Sequence, residues 1–548
     1  MSDSNEVKEV KATPLVNALR TIEFWRRASG VYAAYKGAQM KAAALRMRGW
    51  DDARLKEEHW RPHHDWAGKE FYTIAVDLRG FYLKLGQFFA ARAEFVPEPI
   101  CRRLSLLHDQ VPPMPPAQAR KVIEEQLGAP LEDVFEEIDL EKPLGSASIA
   151  QVHKARLRRP PGQKPAPRRS EDGKGAPLGL RLSLRAQPSW RTVGGFGGGG
   201  DAGAQANRAS DSSGASTSGR PAAEEGMNSG RAAAAAAAAM ASRDAPADGI
   251  VAVKVQYPNA LPTMMLDLGS IRRWAGFLQK TEINFDMLSA VDELASQVRL
   301  EFDFQREARI MDTVAGHLRG LRRTVEIPRS VPGLVTERLL VMTFLGGEQI
   351  TRLKQHVAGL SALKRKAAAK LILQRVSEAY GEMMLTEGLF QADAHPGNIL
   401  VMPGGRMGLL DFGQSKQLPE RERLAFAALI AELARGRRGP GAARPEKVLA
   451  RLSALGLRFE RQDARLATRM AFGMFDTDAS LRVDPFAADS PIKAMGIEHF
   501  PPDVFFVLRV MQLLRGLAGG MGVNDFSSAR QWRPIAERAL RRSHYHAD

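Results

Sequence analysis

The chain has 548 residues, 44% of them apolar and 26% charged. That balance allows a large buried core and excludes collagen-like, disulfide-scaffolded and wholly disordered classes; at roughly 150 residues per domain there is room for about two to four domains. Seventy-eight Lys and Arg against 62 Asp and Glu leave +16, which suits an anionic partner (nucleotide, nucleic acid or acidic membrane surface) without choosing among them, and the single cysteine, Cys101, excludes an intrachain disulfide and gives secretion no support.

The first residues show no apolar signal-peptide core. Residues 16–48 carry Arg20, Arg26, Arg27, Lys36, Lys41, Arg46 and Arg48 against one acid, Glu23, with Trp25, Tyr32, Tyr35 and Met40 interleaved. The pattern predicts a basic helix packed on the main body, an amphipathic helix at a membrane surface, or an atypical organelle-targeting segment. Residues 66–94 are predicted as one long helix holding Phe81-Tyr-Leu-Lys84-Leu-Gly86-Gln87-Phe-Phe. Lys84 sits among apolar neighbours and needs an acid, because an unpaired ammonium is costly to desolvate. Prolines 112, 113, 115 and 116 break the chain, and Pro116–Leu127 is the next helix.

Two strands follow, Ser148–Leu157 and Ile250–Tyr257, the second with Val251, Val253 and Val255 alternating. Between them, residues 158–249 hold Gly194–Gly200 broken once by Phe196, a Ser/Gly/Ala/Asp stretch and the alanines Ala232–Ala239. Such composition cannot bury enough apolar surface to offset ordering, so it is expected to be a disordered insertion in the turn of an antiparallel pair. Residues 286–318 are predicted as one long helix, Leu339–Phe344 as a buried strand and 352–388 as helix. Asn398–Val401 and Met407–Leu410 flank a turn at Pro403–Arg406, and after Leu418 the chain is helical apart from 435–445. Val504–Val523 contains Arg509, Gln512 and Arg515 and is expected to be a buried helix rather than a membrane span. A mixed antiparallel sheet followed by a helical half predicts an α+β fold with two lobes.

Four features carry chemistry, in a meaningful order. Val251-Ala-Val-Lys254 places a lysine in a buried strand, as in the kinase pattern where it meets the α/β-phosphates of ATP. Glu301-Phe-Asp303-Phe-Gln-Arg-Glu307 offers acids that could neutralise a lysine. Asp393-Ala-His-Pro-Gly-Asn398 repeats the D-x-x-x-x-N spacing in which Asp orients a nucleophile and Asn holds Mg²⁺. Asp411-Phe-Gly413 supplies an oxygen ligand for the same ion. The glycine-rich loop is absent; Gly145-Ser146-Ala147-Ser148 stands in its place, and no A-P-E follows Gly413. A peptide-docking activation segment is therefore not expected.

The K-x-G-Q helix, the Gly145–Ser148 loop with Ala-Gln-Val-His153, the E-x-D pair with its following glutamate, D-x-x-x-x-N and D-F-G together resemble the UbiB family, the aarF-domain-containing (ADCK-type) atypical kinases, from about residue 66 to 525 without the insert. The resemblance implies a protein-kinase-like two-lobed fold, a small N-lobe with an antiparallel sheet, a mostly helical C-lobe and a K-x-G-Q extension over the active site. In residue ranges this means a basic extension (1–65), the K-x-G-Q extension (66–130), an N-lobe (131–345) and a C-lobe (346–548). It implies Lys254 and Glu307 as the ATP-orienting pair and Asp393 as catalytic acid. Asn398 and Asp411 would be the Mg²⁺ ligands, and Lys84 would pair with Glu301 and Asp303 beside Gln87. The cofactors implied are ATP and Mg²⁺. The implied work is ATP hydrolysis or phosphorylation of a lipid-related small molecule in ubiquinone or prenyl-lipid metabolism. A peripheral membrane contact in a mitochondrion or chloroplast and a biosynthetic protein complex are expected, and nucleic acid is not. Two alternatives stand: a catalytically silent, nucleotide-gated scaffold, and an aminoglycoside- or choline-type phosphotransferase, against which the K-x-G-Q element speaks.

Overall fold

The computed structural model describes residues 14–90, 96–108, 113–159, 248–282, 287–353, 359, 361–435, 443–481, 483 and 491–543. Most of the expected insert, 160–247, lies outside them. Labels below are given to helices of seven residues or more.

Four helices come first: α1 (Pro14–Met47), α2 (Arg61–Leu78), α3 (Gly80–Ala90) and α4 (Glu98–Leu104). The single helix expected over 66–94 is instead divided at Arg79–Gly80, where both residues take positive φ, 52° and 57°. The cause is a close approach. A Cβ on Gly80 would lie 2.7 Å from an Asp267 carboxylate oxygen. That buried carboxylate accepts from the Phe81 amide at 3.2 Å and from Arg20 Nε of α1 at 2.7 Å. The bend therefore lets one acid tie the start of α3 to α1. Phe24, Ala28 and Val31 bury the inner side of α1 in the main core, while Leu15, Leu19 and Ile22 stay exposed.

After α5 (Pro116–Leu127) come β1 (Phe135–Ile138), β2 (Gly145–Ser146), β3 (Ala150–Leu157) and β4 (Ile250–Gln256). Helices α6 (Ala260–Thr281), α7 (Met287–Glu301) and α8 (Phe304–His317) lead to β5 (Val325–Glu326), β6 (Ser330–Val335) and β7 (Leu339–Thr343). The antiparallel sheet runs β1-β3-β4-β7-β6, with β2 on the flank of β3. β3 and β4 form the hairpin read from the sequence, in register Val152↔Lys254, and its mouth is closed by Leu157 N–H donating to the Gly249 carbonyl at 3.0 Å. Period-two alternation does the sorting. Val251, Val253 and Val255 pack with Val122 and Ile123 of α5 in one cluster, while Ala252 belongs to the main core on the other side.

The helix expected over 286–318 is also two helices. Asp303 caps α8, accepting from the Arg306 amide at 2.7 Å. The Gln256 amide takes the Phe302 carbonyl at 2.6 Å. A side-chain cap on one residue and a captured carbonyl on its neighbour end the first helix and start the second.

The second lobe follows β8 (Glu348–Gln349). It comprises α9 (Ala362–Glu382), β9 (Leu389–Gln391), β10 (Ile399–Val401), β11 (Met407–Leu409), β12 (Ser415–Gln417), and helices α10 (Glu420–Leu433), α11 (Pro445–Ala454), α12 (Ala464–Phe475), α13 (Pro502–Gly520) and α14 (Ser528–Arg542). Trp532 of α14 is fully buried and donates from Nε1 to the Ser377 carbonyl of α9 at 2.6 Å. A Cβ at Gly381 would meet that indole at 2.5 Å, so the glycine permits the helices to close. The molecule is the two-lobed α+β arrangement, an antiparallel-sheet lobe and a mostly helical lobe.

Candidate active site

Lys254 sits in the centre of the sheet, between Val152 of β3 and Leu340 of β7. Its neighbours Val253 and Val255 face α5, so the pleat turns Lys254 the other way, towards α8. There Nζ meets both Glu307 oxygens at 2.7 and 2.9 Å and Asp411 Oδ2 at 3.5 Å. Burial opposes the ammonium, but Asp411 and Glu307 outweigh it and hold the pKa of Lys254 above its usual value. Glu307 is pushed up to about 7 by burial, helped by Asp411 and opposed by Lys254. The lysine is thus a fixed cation whose partners are set by two separate elements.

Asp411 and Asp393 are brought together by backbone pairing. β12 pairs with β9, the Ala392 amide donates to Gln414 O at 2.9 Å, and the Leu410 amide to Asn398 O at 2.9 Å. Asp411 takes φ 57°. Conformations of this kind cost about 1–3 kcal/mol and persist only where the surroundings enforce them. Here the buried Gln391 amide donates to the Asp411 carbonyl at 2.6 Å, and Tyr380 OH holds Gln391 at 2.7 Å. The Asp411 side chain is 42% exposed, so its carboxylate stays open to the cleft although its backbone is clamped. Asn398 donates to the Asp393 carbonyl at 3.5 Å. His395 accepts from the Gly397 amide at 3.1 Å, which braces the turn of the loop.

Lys84 of α3 pairs with Glu301 at 2.7 Å, both nearly buried. Burial raises the Glu301 pKa against the pull of Lys84, and Gln414 donates to the same carboxylate. The expected pairing of Lys84 with Asp303 does not form. The end of α7 at Glu301 turns Asp303 away, to cap α8 and to approach Arg309 at 3.8 Å. Asp303 is therefore a capping residue and does not line the cleft. Gln87 lines it and donates to the Leu107 carbonyl at 3.0 Å.

Gly145, Ser146, Ala147 and Ser148 form the opposite rim. Ala147 N–H bonds to Ala150 O at 2.8 Å, and Ser146 Oγ lies 2.5 Å from Tyr257 OH. Nothing lies within 4 Å of a Cβ built on Gly145, so crowding does not demand a glycine there. Together these groups enclose a cleft of about 450 Å³.

One residue of the site was not anticipated. Arg509 of α13 forms an ion pair with Asp393. Its signal was present: an arginine on an apolar helix needs an acid by the same desolvation argument that singled out Lys84. Among the described residues no group of three or more His, Cys, Asp or Glu side chains could hold a metal by itself. The Asp411 carboxylate and the Asn398 amide, both lining the cleft, are the sparse oxygen set that Mg²⁺ uses when a substrate supplies the remaining ligands.

A family model described as the ABC1 atypical kinase-like domain matches residues 106–164 and 229–438. The chain belongs to the ABC1 (AarF) atypical kinase-like family. ABC1 relatives include Protein ACTIVITY OF BC1 COMPLEX KINASE 8, chloroplastic, of Arabidopsis thaliana, 27% identical over 61% of this chain and 32% of that protein. AarF domain-containing protein kinase 1 of Xenopus laevis is 26% identical over 64% of this chain and 50% of that protein. The chain thus spans half or less of these curated relatives. A solved structure, the Rv3197–erythromycin complex from Mycobacterium tuberculosis, aligns over 86% of this chain and 100% of that one at 19% identity and a TM-score of 0.44. The ABC1 match covers Lys254, Glu301, Glu307, Asp393, Asn398 and Asp411, but neither Lys84 nor Arg509.

Proposed function

We propose that the cleft binds ATP with Mg²⁺ and transfers its terminal phosphoryl group to water or to a lipid-related small molecule, serving ubiquinone or other prenyl-lipid metabolism at an organellar membrane. The observation that carries this reading is the convergence of Lys254, Glu307 and Asp411 at one end of a cleft that Asp393 and Asn398 also line. Asn398 and Asp411 would hold Mg²⁺, which would supply positive charge against the phosphates. Lys254, anchored by Glu307, presents its ammonium to the phosphates. The Gly145–Ser148 rim covers them, and the Lys84–Glu301 pair closes the other side against water. Asp393 takes the proton of the attacking hydroxyl once Arg509 lets it go. The organellar part rests on the chloroplastic relative named above.

A second reading, a silent nucleotide-gated scaffold, has its own support: Arg509 already occupies Asp393. The two are separated by one set of measurements. Mg²⁺-ATP should raise the Tm of the wild type, and Lys254→Met and Asp411→Asn should remove the shift. Asp393→Asn should keep the shift and lower phosphate release by roughly 10²-fold or more. A flat wild-type melt rejects nucleotide binding; a normal shift with no release from the wild type selects the scaffold. Phosphorus NMR with ATP and prenyl-quinone precursors then identifies the acceptor.

A further inference from the structure

A second cavity, of about 360 Å³, shares a wall with the cleft. Thr343, Phe344 and Leu345, where β7 runs out towards the second lobe, line both. Three arginines, Arg322, Arg329 and Arg406, line the second cavity against one acid, Glu326, which leaves an excess of two positive charges. They come from separate elements: Arg322 lies just beyond α8, Arg329 precedes β6, and Arg406 sits on the turn between β10 and β11. Arg406 Nη1 donates to Glu326 at 2.6 Å, and Arg329 Nη1 to the Asp312 carbonyl at 3.1 Å. A guanidinium carries five N–H donors, so one such bond does not exhaust it.

Arginine forks take a doubly charged tetrahedral oxyanion two N–H bonds at a time, and three of them around one opening suit a phosphoryl group. The volume is more than a bare phosphate fills and falls within the range of small-molecule sites, about 300–1,000 Å³. Leu318, Ile327 and Leu345, all buried, give the rest of the wall an apolar lining.

The arginines also stand on elements that lead to the cleft. Arg322 extends α8, which carries Glu307. Arg329 is tied to the shared wall, its amide donating to Thr343 Oγ1 at 2.9 Å and its carbonyl accepting from the Thr343 amide at 2.8 Å. Arg406 precedes β11, and the chain beyond β11 reaches Asp411. An anion held by all three would join α8, the segment between the lobes and β11, and so bear on where Glu307 and Asp411 stand.

We propose that this cavity binds a small phosphate monoester, its phosphoryl group between Arg322, Arg329 and Arg406 and its body against Leu318 and Ile327, and that its occupancy changes the affinity of the cleft for nucleotide. The binding stands on the cavity alone; the coupling rests on the nucleotide reading above.

The test is titration calorimetry of the full chain with phenyl phosphate at pH 8, without Mg²⁺ or nucleotide. Saturable binding is expected, weakening as salt is added. Arg322→Gln and Arg406→Gln should each weaken it about tenfold. Arg322 is exposed and the Arg406 side chain is 39% exposed, so both variants should fold. Glu326→Gln should tighten binding about threefold, because the competing carboxylate is gone. Inorganic phosphate, which lacks a body for the apolar wall, should bind about tenfold more weakly than the ester. Saturating phenyl phosphate should change the apparent Mg²⁺-ATP affinity about fivefold. No saturable binding, binding untouched in both arginine variants, or weaker binding in Glu326→Gln overturns the site. Inorganic phosphate binding as tightly as phenyl phosphate overturns the ester and makes the free anion the ligand. A Mg²⁺-ATP affinity that ignores phenyl phosphate overturns the coupling. Phenyl phosphate binding without any Mg²⁺-ATP melting shift upholds the cavity and rejects the nucleotide reading.

Discussion

His153 is fully buried in β3, its Nδ1 2.7 Å from the Asp139 carbonyl and its Nε2 2.8 Å from the Gln151 amide. Gln151 in turn accepts from the Met114 amide at 2.7 Å, so the imidazole steadies the chain leading into α5. Burial lowers its pKa below the ordinary 6.5. The folded protein therefore resists protonation that the unfolded chain accepts, and stability is lost as pH falls below about 6.5. Melts at pH 7 and pH 5 should differ by less in His153→Gln than in the wild type. Equal differences would remove this residue from the acid sensitivity. The same physics governs the site. Lys84 and Lys254, each in an apolar run, announce that an acid is near. Which acid answers depends on where α7 stops, and that gives Glu301 to Lys84 and leaves Asp303 as a cap.

Among elements, the junction of α1, α3 and α6 is held by one buried carboxylate. Asp267 is almost fully buried, and burial raises its pKa against the pull of Arg20. Arg20→Leu leaves that acid without its cation and should cost about 3 kcal/mol in urea unfolding. The double variant with Asp267→Leu should recover part of the loss, despite losing the Phe81 bond. If Arg20→Leu is as stable as the wild type, α1 is held by its apolar contacts alone. The two helix breaks were invisible in hydropathy because apolar spacing runs through both. Arg79–Gly80 is set by the approach of Asp267, and Phe302–Asp303 by Gln256, residues distant in sequence. The β3–β4 hairpin was legible across its long insert because each strand carries its own alternation.

For the whole molecule, the cleft depends on the sheet lobe presenting Lys254 to residues of the other lobe, and the hairpin mouth at Leu157 and Gly249 is already closed by a backbone bond. Joining Arg159 to Asp248 through a short Gly-Ser turn should leave the fold and the Mg²⁺-ATP shift intact. Because each doubling of loop length costs about 0.6 kcal/mol, the excision should raise stability by about 2 kcal/mol. Aggregation or a lower Tm would show that residues 160–247 support the fold.

The amino-acid sequence by itself determined the order of elements, the two-lobed class and the family. Each of these rests on local signals: valine alternation, prolines after a helix, and fixed spacings such as Asp393 to Asn398. Only the tertiary structure decided the pairings, Lys84 with Glu301, Arg509 with Asp393 and Tyr380 with Gln391. The reason is that desolvation tells a buried polar group that it must have a partner, while the choice of partner is made by packing between residues a hundred or more positions apart, or, for Tyr380 and Gln391, by the turn between a helix and a strand.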